Sequence, residues 1–134
     1  MIIHLRIIGF LFMALAVVHV GFPRYFKWRT QLAGMDLINR QMMQVHTFFI
    51  ALVVFLIGLL CATSAAELVL TPLGRRISLG LGMFWGLRAL VQWFVYSPEL
   101  WRGKRMETTI HIVFSLLWVY CTVVFLSIAW AVQG

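Results

Sequence analysis

Acidic side chains are scarce in this sequence of 134 residues, which has 4 Asp and Glu against 11 Lys and Arg. None of the four lies in the middle of an apolar block. That absence disfavours an ion-coupled transporter or a proton pump, which would need an acidic relay within the membrane. The sequence also lacks a phosphate-binding glycine loop, a Ser–His–Asp candidate set and a His-Glu-x-x-His motif. It therefore gives no support to the nucleotide-binding and hydrolytic activities that depend on those patterns.

Cysteine is nearly absent as well. Cys61 and Cys121 both lie inside apolar blocks, and no Cys-x-x-Cys pair is present. A free cysteine in an apolar segment commonly behaves as a small buried hydrophobic residue. We therefore predict that both are inert packing residues.

Charged residues of both signs make up only 11% of the chain, whereas 63% is hydrophobic. A soluble domain carries far more charge. The apolar blocks have the ~20 residues that a helix needs to cross a ~30 Å hydrocarbon core, and they are too long and uniform for the strands of a barrel. We predict a single all-α domain, an integral membrane bundle of four transmembrane helices, with spans at about residues 2–22, 45–66, 77–96 and 108–132.

The longest predicted loop, Pro23–Gln44, contains a short amphipathic stretch. Its apolar residues recur at helical spacing among basic ones, at Tyr25, Trp28, Leu32 and Met35. This pattern is typical of a short helix that lies in the membrane interface between the first two spans. Gly34 can end that helix, and Asp36 can cap the next one by accepting a hydrogen bond from an exposed backbone N–H.

The basic residues indicate an orientation. The first and third loops together carry seven of them, at Arg24, Lys27, Arg29, Arg40, Arg102, Lys104 and Arg105. The opposite side carries three, at Arg6, Arg75 and Arg76. The positive-inside rule then places both termini outside and these two loops in the cytoplasm, as in a bacterial inner membrane protein. The basic excess is explained by topology and by contact with anionic lipids, so we predict no nucleic acid partner.

Three histidines are predicted to lie at one depth. His19 is near the end of the first span, His46 in the opening turn of the second and His111 about one turn into the fourth. At 1.5 Å per residue they fall within roughly 2–6 Å of the same membrane face, while His4 lies at the other. Three such imidazoles could ligate a transition metal or haem b. Alternatively, they are separate interfacial histidines bonded to water or neighbouring backbone.

Arg88 lies near the middle of the predicted third span. An arginine at the bilayer centre costs about 2.5–3.5 kcal/mol on insertion scales, so it should face the interior and have polar partners. Gln92, one turn further on, is the first candidate, followed by Tyr96, Ser115 and Thr122. A bound carboxylate, phosphate or haem propionate is the functional alternative to such structural pairing.

Gly82 and Gly86 form a G-x-x-x-G pair on the same helix, which permits close approach of a neighbouring helix or of a second subunit. Two hypotheses for function follow. In the first, the chain is a metal- or haem-binding redox or metal-handling protein that uses the three histidines, with Arg88 and Gln92 anchoring an anionic group. In the second, it is a non-catalytic accessory subunit or a small protein that binds lipid or another hydrophobic ligand.

The tryptophans divide into two predicted groups. Those near the predicted span ends suit an aromatic belt at the membrane interface, at Trp28, Trp93, Trp101 and Trp130. Trp85 and Trp118 lie deeper and are predicted to be packing residues.

Overall fold

The computed structural model describes residues 1–131, which are helical apart from short connections and contain no strand. The helices are α1 (Ile2–Tyr25), α2 (Trp28–Gln31), α3 (Leu37–Thr63), α4 (Ala65–Leu70), α5 (Pro72–Phe94) and α6 (Arg105–Trp130), with a 3₁₀ turn at Pro98–Leu100. The all-α prediction is confirmed. Cys61 and Cys121 are both fully buried, as expected of packing residues, and neither belongs to a disulfide.

Three of these helices, α1, α3 and α6, are long and apolar enough to cross a membrane. Helix α5 has 23 residues, which is long enough, but it is less apolar. The cause is its polar content, since Arg75, Arg76, Arg88 and Gln92 all lie within it. The last residue of the predicted fourth span, 132, lies outside the described residues.

The predicted boundaries shift at the first loop. Helix α1 continues through Pro23 to Tyr25, and the predicted interfacial helix is reduced to the four residues of α2. Lys27 precedes α2 with a left-handed backbone, at φ 52°, so the chain turns between the two helices. Helix α3 begins at Leu37, well before the predicted start at residue 45. Asp36 stands at its N-cap position, but its side chain makes no capping hydrogen bond.

The chain forms two compact units, the first built from Ile3–Ala65 and the second chiefly from the residues that follow. In the first unit α1 and α3 form an antiparallel pair whose backbones meet at Gly9 and Gly58. A Cβ placed on Gly9 would lie 2.7 Å from the carbonyl oxygen of Gly58 and 2.8 Å from the backbone nitrogen of Ala62. Only glycine allows this close approach.

Replacement of Gly9 by alanine should therefore force α1 and α3 apart, because the added methyl group meets backbone atoms that cannot rotate away. We expect a destabilisation of about 1–3 kcal/mol, typical of overpacking. It would be measured as a lower midpoint of thermal unfolding in detergent. Gly21→Ala on the same helix is the matched control, since its Cβ meets nothing within 4 Å. A Gly9→Ala protein that melts no earlier than the Gly21→Ala protein would contradict the close approach.

The second unit begins with a tight turn from α4 into α5, at the Thr-Pro-Leu-Gly sequence of residues 71–74. The Thr71 hydroxyl accepts a hydrogen bond from the Gly74 backbone nitrogen at 2.9 Å and donates one to the Glu67 carbonyl at 2.8 Å. Pro72 occupies the first turn of α5, where its missing N–H costs nothing. A side chain at Gly74 would collide with the backbone of Glu67 and Leu68, so glycine is required there.

Helices α5 and α6 pack as an antiparallel hairpin. Arg75 at the start of α5 donates a hydrogen bond to the Ala131 carbonyl just beyond α6, at 3.2 Å. Further along, Gly82 faces Leu126, and Gly86 faces Thr122. The G-x-x-x-G face therefore packs against a neighbour within the chain. A second subunit could use that face only by displacing α6.

Candidate functional site

Arg88 lies about three-quarters of the way along α5 and is half-buried. Its Nη1 donates a hydrogen bond to Oε1 of Gln92, one helical turn further on, at 3.2 Å. The sequence prediction that Arg88 contacts Gln92 is therefore confirmed. The spacing alone explains the pair, because side chains four residues apart lie on one helix face.

Two aromatic rings lie against the guanidinium of Arg88. Its central carbon lies 5.1 Å from the centre of the Trp118 ring and 5.6 Å from that of Tyr96. Trp118 is in turn stacked on Trp85, with ring centres 4.8 Å apart and planes 6° from parallel. A cation over an aromatic face is stabilised by the ring quadrupole, but rings accept no strong hydrogen bond. Within residues 1–131, Arg88 has one hydrogen-bond acceptor and no carboxylate partner.

Gln92 connects Arg88 to His111 on α6. It is buried, at 7% exposure, and its Nε2 lies 2.9 Å from Nδ1 of His111. The amide orientation follows from Arg88, which can only donate, so Oε1 must face the guanidinium. The amide Nε2 can also only donate, and therefore Nδ1 of His111 must accept. His111 is thus the neutral tautomer with its proton on Nε2.

A loop tryptophan covers the other side of this histidine. Trp101 stacks on the His111 ring, with centres 4.6 Å apart and planes 13° from parallel. Its backbone is held in place by the Thr108 hydroxyl, which donates to the Trp101 carbonyl at 2.6 Å. Glu107 lies in the first turn of α6, where its charge favours the helix dipole. The ring of His111 bonds Gln92 instead of this carboxylate.

Hydrogen-bond donors outnumber acceptors around this relay of Arg88, Gln92 and His111. In the part of the chain that the structure describes, the indole nitrogens of Trp101 and Trp118 are buried without a hydrogen-bond partner. Nε2–H of His111 and most N–H groups of Arg88 are donors too. Ser115 and Thr122 donate their hydroxyl protons to carbonyls of their own helix, and the hydrogen bond of Arg88 goes to Gln92 and to neither of these two candidates from the sequence. The site therefore suits a ligand rich in acceptor oxygens.

In His19 the Nδ1 atom donates a hydrogen bond, whereas in His111 the same atom accepts one. Nδ1 of His19 lies 2.8 Å from the carbonyl oxygen of Leu15. A carbonyl only accepts, so Nδ1 carries a proton and the lone pair of the neutral ring is on Nε2. The ring also packs on Phe22, with centres 4.6 Å apart. His19 lines a groove of about 170 Å³ between α1 and α3, together with Val20, Pro23, Gln44, Thr47, Phe48 and Ala51.

His46 lies outside this groove. Residues 44, 47, 48 and 51 of α3 line it, and position 46 is rotated about 100° from 47 around the helix. The His46 side chain is exposed. Between Met1 and Ala131, no three His, Cys, Asp or Glu residues form a group that could hold a metal ion. The hydrogen bond to Gln92 also occupies the only lone pair of neutral His111. The three-histidine metal or haem site stays a prediction.

No family model, curated protein or solved structure matches this chain.

Proposed function

We propose that this chain is a small polytopic membrane protein that binds an anionic amphiphile at the relay of Arg88, Gln92 and His111. The ligand offers a carboxylate or phosphate group to the guanidinium, and its apolar part lies among the aromatic rings of the hairpin. The observation that carries the proposal is the guanidinium of Arg88, half-buried in the hairpin with one hydrogen bond and no carboxylate partner among the described residues. A charge placed at such cost marks a functional site by default.

The hydrogen-bond donors of Arg88 favour an anionic ligand over a neutral one. A guanidinium forms two parallel, charge-assisted hydrogen bonds with a carboxylate or phosphate, and Arg88 has N–H groups left for both. The rings of Tyr96 and Trp118 limit the access of water, which strengthens those bonds. His111 keeps the orientation of Gln92 fixed through its acceptor nitrogen, so the amide oxygen stays on Arg88 and leaves the outer N–H groups to the ligand.

We include α5 as a fourth span. Helix α6 is long and apolar enough to cross a membrane, and α5 runs antiparallel beside it from Arg75 to Gln92. If α6 crosses the bilayer, its paired neighbour crosses the same thickness. The polar residues that lower the apolarity of α5 are then accommodated because Arg88 and Gln92 face α6, whereas Arg75 and Arg76 lie at the membrane surface.

The orientation can be tested separately. A reporter inserted at Gly103 should be active in the cytoplasm, and one fused after Gly134 should be active on the outer side of a bacterial inner membrane, because seven basic residues belong to the loops predicted inside. Reporters at Thr71 and Gly103 on opposite sides would support α5 as a span. If both reporters are found on the same side, α5 does not cross the membrane.

The ligand itself can be identified from the full-length protein extracted into native nanodiscs without a detergent wash. Mass spectrometry should show one acidic lipid or fatty acid enriched over the surrounding membrane. Haem b would present its propionates to the same arginine, so an absorption spectrum and elemental analysis distinguish it from a colourless lipid. A colourless, metal-free protein whose lipids match the bulk membrane would reject ligand binding and favour an accessory subunit.

A further inference from the structure

The groove between α1 and α3 is rich in hydrogen-bond acceptors, in contrast to the relay on the α5–α6 hairpin. In the neutral ring of His19, Nε2 presents a lone pair, because the ring proton is on Nδ1 and is bonded to the Leu15 carbonyl. Pro23 has no N–H, so the carbonyl of residue 19 lacks its regular helical donor. Thr47 gives its hydroxyl proton to the Met43 carbonyl at 2.8 Å, and only the lone pairs of its oxygen remain available. Gln44 also lines the groove, and its amide can donate as well as accept. The other polar groups can only accept from a ligand, so the groove favours a ligand that donates hydrogen bonds.

Charge excludes the cationic donors. The unit Ile3–Ala65 has one acidic residue, Asp36, against a clear excess of basic ones. Three of the basic residues, Arg24, Lys27 and Arg29, follow closely after Pro23. An ammonium group or a metal cation would be repelled by these charges and would find no carboxylate among the residues that line the groove. A neutral hydroxyl is the donor that fits.

Size and lining favour a hydroxyl on a ring. The groove measures about 170 Å³, and an apolar cavity of roughly 150 Å³ is known to hold one benzene molecule. Phe48 lines the groove, and Phe22 packs against His19. The volume is below the ~300 Å³ at which pockets for larger ligands begin. It therefore accommodates a single six-membered ring whose tail extends out of the groove.

We infer that this groove binds the hydroxylated aromatic ring of a neutral amphiphile, an alkylphenol or alkylquinol, whose O–H donates to Nε2 of His19. This inference goes beyond the proposed function. It concerns the other helix pair, the opposite hydrogen-bond polarity and an uncharged ligand.

The test compares two probes that differ in the single hydroxyl proton. The full-length protein in phosphatidylcholine nanodiscs is titrated with 4-heptylphenol and with its methyl ether, which has no O–H. The phenol should bind about tenfold more tightly, which corresponds to about 1.4 kcal/mol. Simple partition into lipid favours the more apolar ether, so it predicts the reverse order. An alkylhydroquinone as a third arm separates the two sources, since binding tighter than the phenol shows that the second hydroxyl is also used and favours a quinol.

Histidine variants locate the acceptor. His19→Phe keeps an aromatic ring but removes the lone pair, and the preference for the phenol should disappear. His46→Phe is the matched control, since that residue is exposed and outside the groove, and the tenfold preference should persist. Val20→Trp fills the groove from its exposed rim and should weaken both probes.

A direct measurement keeps the inference testable even where His19→Phe misfolds. The ¹⁵N resonance of His19 Nε2 in the unaltered protein should move when the phenol is added and not when the ether is added. Equal affinity for the two probes, a preference that survives in folded His19→Phe protein, or an unmoved Nε2 resonance would each overturn the inference.

Discussion

Arg88→Leu should lower the affinity for an anionic amphiphile by roughly 100-fold while the protein still inserts into the membrane. The substitution removes both charge-assisted hydrogen bonds to the ligand, and bonds to charged groups contribute about 1.5–3 kcal/mol each. A loss of about 3 kcal/mol corresponds to that factor. Insertion becomes easier, because Leu is favoured in a span and Arg is not.

The measurement uses defined probes, palmitate for the carboxylate and phosphatidic acid for the phosphate, titrated into phosphatidylcholine nanodiscs that hold the full-length protein. Arg76→Leu is the matched control, since Arg76 is an exposed arginine at the start of the same helix, and its affinity should stay near that of the wild type. The affinity of the Arg88→Lys protein should lie between those of Arg88→Leu and Arg76→Leu, because an ammonium group keeps the charge but lacks the planar arrangement of N–H donors.

Thermal unfolding separates a ligand-binding arginine from a structural one. In the ligand-free protein, Arg88→Leu loses one hydrogen bond to Gln92 and the contacts with two rings. It also removes a poorly paired charge, so the midpoint of thermal unfolding should not fall. A marked fall in the midpoint with unchanged affinity for both probes would show that Arg88 serves only the fold.

Three of the four helices that the sequence predicts as spans are long and apolar enough in the structure to cross a membrane, because length and hydropathy can both be read from the sequence. The sequence prediction fails at the ends of these helices. Polarity between Asn39 and Gln44 suggests a loop, yet these residues lie in α3, since leaving the apolar region does not end a helix built from good helix formers. Pro23 does not end α1 either, since the helix continues to Tyr25 although the proline removes one helical hydrogen bond.

The sequence predicts only part of the site, and the reason is different. A contact within one helix follows from spacing, and Arg88–Gln92 is such a contact. The bond from Gln92 to His111 depends on the register of α5 against α6, which is set by the close packing at Gly82 and Gly86. Trp101 was predicted to belong to an interfacial belt, and only the fold of its loop brings it onto His111.

Gln92→Glu should lower the affinity for the same anionic probes while raising thermal stability, and this pair of effects tests the relay itself. The introduced glutamate is nearly the same size as glutamine. One of its oxygens accepts from Arg88 as an ion pair, so the guanidinium gains the carboxylate partner that it lacks in the described chain. The site then repels a second carboxylate or a phosphate, and affinity should fall about as far as in Arg88→Leu.

The ¹⁵N resonance of His111 tests whether Gln92→Glu acts through the hydrogen bond between residues 92 and 111. The glutamate of the Gln92→Glu protein would present an oxygen where the wild type presents an amide N–H, so Nδ1 of His111 must become a donor, and its ¹⁵N resonance should change from the unprotonated to the protonated type. Gln41→Glu introduces the same charge at an exposed position of α3 and should leave affinity, stability and the His111 resonance unchanged. If Gln92→Glu keeps its affinity for palmitate and phosphatidic acid while Nδ1 becomes protonated, then the anion does not bind at Arg88, because a neutralised guanidinium cannot hold it.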